Sequence, residues 1–212
     1  MVKILITSGP TRQYLDPVRF ISNASSGRMG CALAEAAVRA GHEVTIISGP
    51  VEISYPAEAR VVKVVTTDEM LTAAESLFST HDGVIGVAAP CDYKPHRVAA
   101  SKIAKTGEPL TLQLIETPDV LAELGSRKTP AQWVVGFALE TDDPRIRAIR
   151  KMEAKNCDLM ILNAPSAIDS PENEVEILDT RGETLAQLRG KKSELAKEIF
   201  AIIEEYLIGS RD

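Results

Sequence analysis

Short runs of aliphatic and β-branched residues alternate with helix-period segments along most of this 212-residue chain, and that rhythm restricts the fold more than any other feature. Strands are expected at Val2-Lys-Ile-Leu-Ile-Thr7, Glu43-Val-Thr-Ile-Ile-Ser48, Arg60-Val-Val-Lys-Val-Val65, Asp82-Gly-Val-Ile-Gly-Val-Ala88, 133–138 and 158–163. Between them, helices are expected at about 26–40 and, behind the capping box Thr66-x-x-Glu69, to about Ser79. Thr117-Pro118 and Asp143-Pro144 each set a capping residue before proline, so helices should open there. Such alternation implies right-handed βαβ units, hence an α/β Rossmann-like, doubly wound, mostly parallel sheet. The end departs from the rhythm. Residues 174–179 and 183–188 read as a β-hairpin about Arg181-Gly182, and Ser193 can cap a last helix reaching about Leu207. No linker or repeat interrupts the pattern, so residues 1–212 are read as one domain.

In such a sheet, ligands bind at the carboxyl ends of strands where strand order reverses. The segments after the first strand and after the strand at 82–88 should meet there. The first runs from Ser8 to Gly30 and is far longer than the usual βα loop of about 2–6 residues. It ends Phe20-Ile-Ser-Asn-Ala-Ser-Ser-Gly-Arg-Met-Gly30, small and polar residues before a helix, as in anion sites, although no strict G-x-G-x-x-G is present. It also holds Arg12, Asp16, Arg19 and Asn23. Asn23 either ties down the loop or donates to a substrate oxygen, and Arg19 offers a fork for an oxyanion. Residues 97–108 are polar and aperiodic, contain Lys102 and Lys105, and are read as a mobile loop. Lys151 and Lys155 lie one turn apart on one helix face, which alone describes a wet surface as well as a binding site.

The formal net charge of −6 argues against broad nucleic-acid binding. Cys31, Cys91 and Cys157 show no disulfide or zinc spacing, and the three histidines show no metal-like spacing. No apolar run approaches the roughly 20 residues that cross a bilayer, and a cytoplasmic protein with reduced thiols is expected.

The stretch from Thr7-Ser-Gly-Pro-Thr-Arg to Ser-Gly-Arg-Met-Gly30 resembles the opening of phosphopantothenoylcysteine synthetases, and further motifs follow in that family's order. They are Ala88-Ala-Pro-Cys-Asp-Tyr93, Lys102-Ile-Ala-Lys105, Thr117-Pro-Asp-Val-Leu121, Val135-Gly-Phe-Ala-Leu-Glu-Thr141 and Lys151-x-x-x-Lys155-Asn. The resemblance implies a phosphopantothenate–cysteine ligase of coenzyme A synthesis. CTP, carried with Mg²⁺, would activate 4′-phosphopantothenate as an acyl-cytidylate, and L-cysteine would displace the nucleotide. It assigns Asn23 to the intermediate, with Arg19 beside it on the substrate. Gly86, Val87, Ala88 and Asp92 fall to the base and ribose, and Pro118, Asp119, Val120, Leu121 and Phe137 to the nucleotide wall. Lys102 closes over the phosphates, and Lys151 and Lys155 reach the triphosphate. No metal ligands are assigned. The resemblance also implies a homodimer, for which the C-terminal hairpin offers an edge, and a separate phosphopantothenoylcysteine decarboxylase as partner.

The chain departs from the family at Pro90-Cys91, at Ala104, and at residues 167–171, where a glycine-rich segment is expected. A Rossmann-type oxidoreductase and a non-catalytic nucleotide-binding paralogue are the alternative readings. The first is disfavoured by the long opening loop and by a second strand that ends Ile47-Ser48-Gly49 without an acidic residue.

Overall fold

The computed structural model describes residues 1–140, 142–163 and 172–209. Successive strand residues point to opposite faces, and here both faces are apolar, as a sheet covered on both sides requires. In β1 (Lys3–Ser8), Ile4 and Ile6 join one buried cluster and Leu5 the other. The same division splits Trp133 and Val135 from Val134 in β9 (Trp133–Leu139), and Ile161 from Met160 in β10 (Leu159–Asn163).

The remaining strands of the main sheet are β4 (Glu43–Ser48), β5 (Arg60–Lys63), β6 (Gly83–Gly86), β11 (Glu172–Asp179) and β12 (Thr184–Lys191). The order is β12-β11-β10-β9-β6-β1-β4-β5; β11 runs antiparallel to both β10 and β12, and every other pairing is parallel. Helices α1 (Arg28–Arg39) and α5 (Lys192–Ile203) cover the Ile4 face, burying Leu33, Leu195, Ile199 and Phe200. Helices α2 (Thr67–Phe78), α3 (Val120–Arg127) and α4 (Pro144–Ala154) cover the Leu5 face through Met70, Phe78, Leu124 and Met152.

The expected doubly wound sheet and terminal hairpin are present, while several boundaries move. The α2 capping box forms, with Glu69 N–H donating to Thr66 Oγ1 at 3.1 Å and the Glu69 carboxylate accepting from Thr66 N–H. Helix α1 opens at Arg28 rather than Ser26, because Gly27 takes a left-handed conformation (φ 73°) that side chains disfavour. Helix α3 opens after Pro118, at Val120, because Asp119 accepts the Ala122 N–H and so caps it, whereas the Thr117 hydroxyl donates to the Cys91 carbonyl. Ser193 is not a cap: α5 already begins at Lys192, and its last turn widens into a π-helical turn over Glu204–Ile208. Two small antiparallel hairpins were not expected: β2 (Arg12–Tyr14) with β3 (Phe20–Ser22), and β7 (Tyr93–Pro95) with β8 (Leu114–Glu116). Residues 97–108 contain no helix or strand. The altered segment at 167–171, and Thr141, lie outside the described residues.

Gly83 gives the core a stringent test. A Cβ there would overlap the ring of Trp133, which is 1% exposed and belongs to the Ile4-face core. Gly83→Ala is expected to cost about 1–3 kcal/mol through overpacking. It should appear as a lower urea midpoint with unchanged m-value; a midpoint within error of the parent would disprove it.

Candidate active site

The crossovers from β1 lead to β4 and β5 on one side, while β6, β9 and β10 lie on the other, so strand order reverses between β1 and β6. The chain leaves both carboxyl ends there together. Pro10 and Ala89 form a parallel bridge, and the Ala89 N–H donates to the Gly9 carbonyl at 2.9 Å. A buried polar knot fixes these loops on α2. Thr11 Oγ1 accepts the Cys91 N–H at 2.8 Å and bonds Thr67 Oγ1 at 2.9 Å, while Gln13 Nε2 donates to Thr67 Oγ1 at 2.9 Å. Thr11 and Thr67 have no exposed surface, so each lost partner would leave a buried polar atom unpaired. Sequence reasoning missed this knot, since lone threonines carry no pattern that marks them.

Beside the knot lies a small pocket lined by Gly86, Ala88, Asp92, Pro118, Asp119, Val120, Leu121, Phe137 and Lys155, together with Thr7 and Pro90. Gly86 and Phe137 come from strands β6 and β9, and the 118–121 segment is the entry to α3. Lys155 Nζ pairs with Asp119 Oδ2 at 3.0 Å, while Asp119 Oδ1 caps α3 at 3.0 Å. Asn156 holds Lys155 in place from its other side: it turns the chain at φ 48° and its side-chain amide donates to the Gly125 carbonyl at 2.8 Å. Burial pushes the neighbouring Cys157 thiol up to about 12 although Lys155 and Lys128 oppose it, so it is not a nucleophile at neutral pH. All three cysteines are free.

The other expected residues lie around this pocket rather than in its wall. Val87 packs into the Ile4-face cluster, toward α1. Lys151 is ion-paired with Glu140, a carboxylate only 7% exposed at the end of β9. Asn23 is exposed and donates its amide to the carbonyls of Pro90 at 2.8 Å and Ala89 at 3.3 Å. Its amide hydrogens thus stitch the two loops together and leave Oδ1 as the free polar atom. The Arg19 guanidinium is gripped by Asp16, with Nη2 to Oδ2 at 2.6 Å. Lys102 and Lys105 are exposed in the connection between β7 and β8. Among the described residues no group of three or more His, Cys, Asp or Glu gathers to hold a metal ion.

A larger depression opens at the amino ends of β6 and β9, between Phe78, His81, Arg127 and Gln132. Its polar groups are spent internally: Arg127 pairs with Glu75 at 2.6 Å, and Gln132 Nε2 donates to the carbonyls of Phe78 and His81. Open α/β sheets bind ligands at the opposite end.

A family model described as the DNA/pantothenate metabolism flavoprotein C-terminal domain matches residues 1–207. The chain belongs to this family. The coenzyme A biosynthesis bifunctional protein CoaBC of Vibrio vulnificus (strain YJ016) is 38% identical over 207 residues, covering 95% of this chain and 51% of that protein. The protein of the same name from Escherichia coli (strain K12) is 39% identical over 198 residues, covering 90% and 49%. The chain therefore spans about half the length of the curated relatives it matches. Among solved structures, the C-terminal domain of a CoaBC superposes with TM-score 0.83 at 36% identity, covering 97% of this chain and 95% of that one. A variant of Cab2 in complex with phosphopantothenate-cysteine gives 0.81 at 18% identity, covering 100% and 89%, a likeness of fold alone. No helix among the described residues is long and apolar enough to cross a membrane.

Asp16 gives the site an acid-sensitive element. Burial alone would raise its carboxyl, but the N–H groups of Ile103, Val18 and Arg19 and the Arg19 side chain overrule it and hold the group well below the ordinary 3.8. A depressed folded-state value contributes stability that is whole above the unfolded-state value and is lost as pH falls toward the folded one. Stability should drop steeply below about pH 4, and less steeply in Asp16→Asn. Urea midpoints from neutrality to about pH 3 test this, and equal slopes for the two proteins would sink it.

Proposed function

We propose that this domain is a phosphopantothenate–cysteine ligase that uses CTP. The reading rests on one observation: nine of the twelve residues that the resemblance gives to the nucleotide line a single pocket at the strand-order reversal, Lys155 among them, while Val87, Lys102 and Lys151 lie outside its wall. Membership of a family whose relatives are named for coenzyme A biosynthesis supports it. An oxidoreductase reading has no comparable support, since β4 ends at Ser48 without an acidic residue for a ribose.

In the first half-reaction a carboxylate oxygen of 4′-phosphopantothenate attacks the α-phosphorus of CTP; the acyl-cytidylate forms and pyrophosphate leaves. In the second, the amine of cysteine attacks the acyl carbonyl, CMP leaves, and an amide remains. The first step gathers negative charge, which fixed cations and N–H donors must offset. Lys155 stands in the pocket wall, Lys151 lies one turn before it and pairs with Glu140, and α1 presents an N-terminus with no side-chain cap. Mg²⁺ would come with the triphosphate and offset part of its charge, and no protein ligand is assigned to it. A phosphopantothenoylcysteine decarboxylase takes over the product. Asp92 and the backbone at Gly86 and Ala88 face the base and ribose, and a site built to hydrogen-bond one base edge rejects another strongly. Pyrophosphate release with phosphopantothenate before cysteine is added should therefore be faster with CTP than with ATP. Equal or better release with ATP would defeat the CTP assignment.

Asn23→Asp replaces a donor to two carbonyls with a carboxylate facing them, so repulsion opens the seam beside the acyl-cytidylate. Amide formation should fall on the order of a hundredfold while the fold, followed by circular dichroism, stays intact. Near-parental amide formation would remove Asn23 from the site.

The domain acts as a homodimer. The free edge β12 carries Arg189 and Lys191, charges that blunt edge pairing. About half of the exposed large apolar side chains instead lie on the two small hairpins and their connections, among them Phe20, Tyr93, Val98, Leu110, Leu114 and Ile115. Light scattering at micromolar concentration should give twice the chain mass, and Leu114→Glu should halve it. A fully active monomer would rule the dimer out.

A further inference from the structure

Asp16 has no exposed surface, and both its oxygens are engaged. Oδ1 accepts the N–H groups of Val18 at 2.8 Å and Arg19 at 2.9 Å. Oδ2 accepts Arg19 Nε at 2.9 Å, Arg19 Nη2 at 2.6 Å and, from a segment 87 residues away in sequence, the Ile103 N–H at 3.1 Å. Arg19 Nη2 then reaches past the carboxylate to the Ile103 carbonyl at 2.5 Å. A single peptide residue is therefore held by its N–H and by its C=O, the first directly by Asp16 and the second through Arg19. The Ala99 N–H adds a second tie, to the Leu15 carbonyl at 2.9 Å.

These ties divide the long connection between β7 and β8. Its stretch from Ala99 to Ile103 is anchored on the turn at residues 15–19, whereas residues 104–112 carry one local bond, from Glu108 N–H to Thr106 Oγ1 at 3.3 Å. Lys102 is exposed and immediately precedes the doubly held residue. We infer that Asp16 is a positioning residue that, with Arg19 as its arm, fixes the backbone carrying Lys102 and couples it to the loop that carries Asn23. This rests on the reading above, in which Lys102 meets the phosphates. A lysine on a free loop must surrender backbone freedom at the moment of reaction, while one on an anchored backbone has already done so. The buried carboxylate is suited to the task, because its five donors fix both its own position and that of each donor.

A double-mutant cycle tests the inference, read by single-turnover acyl-cytidylate formation and by CTP titration. Lys102→Gln should lower formation on the order of a hundredfold and CTP affinity by less than about tenfold. Asp16→Asn should lower formation by at least about tenfold with CTP affinity unchanged, and the double variant should be no slower than Lys102→Gln alone. Multiplying losses would overturn the inference, since Asp16 would then act on something other than Lys102. Should Asp16→Asn fail to fold, Ile103→Pro deletes the cross-loop N–H that Asp16 accepts and leaves the Asp16–Arg19 pair intact; formation at the parental rate in that variant would also overturn it. Trypsin on the unliganded protein reads the tie without catalysis. Cutting after Lys102 should be at least about tenfold faster in Asp16→Asn, with cutting after Lys105 unchanged. Unchanged cutting after Lys102 refutes the tie even in an active enzyme. A parent protein that forms no acyl-cytidylate overturns the ligase reading and with it the role of Asp16, while the cutting pattern still reports the tie.

Discussion

The reversal of strand order between β1 and β6 is the constraint on which the rest depends. Right-handed crossovers from β1 send the chain to one side through α1, and the later crossover returns it to the other side through α2. No helix can then cover the seam between the carboxyl ends of β1 and β6. The loops must close it themselves, and they do so with hydrogen bonds. The Pro10–Ala89 bridge, the Thr11–Thr67–Cys91 knot and the Asn23 amide all lie along that seam. Polar residues concentrated there have backbone groups of two loops to satisfy before any ligand arrives.

The sheet was legible because its signals are local and repeated. Apolar runs such as Ile4-Leu-Ile6 are buried on both faces, and the Thr66–Glu69 box is complete within four residues. The small hairpins were not legible. Three-residue strands such as Arg12–Tyr14 and Leu114–Glu116 carry no period of their own, and they pair only because the seam brings their neighbours together. Competition between neighbouring caps explains the start of α3. Thr117 was the expected cap, but its hydroxyl is diverted to Cys91, a contact invisible in sequence, and Asp119 takes its place.

For the site, motif order located the pocket residues but not the division of labour among them. Val87 and Ala88 are adjacent, yet strand alternation turns the first toward α1 and the second toward the pocket. Arg19 was read as a fork for an oxyanion, and Asn23 either as a tie for its loop or as a donor to a substrate oxygen. Part of each is committed to protein partners, Asp16 and Ile103 for the first and two carbonyls for the second. Long-range hydrogen bonds of this kind have no sequence signature, because their partners are set by the fold.

The Lys155–Asp119 pair gives the pocket a threshold. An internal carboxylate sits beside its ammonium at high effective concentration, so an incoming anion must displace a resident competitor. A singly charged ion makes one contact and loses that contest. A polyanion that reaches Lys155 and other donors together gains several contacts for one displaced partner. With Lys155 already paired in the wall, an anion would be selected there by how many donors it reaches at once, before its shape is read.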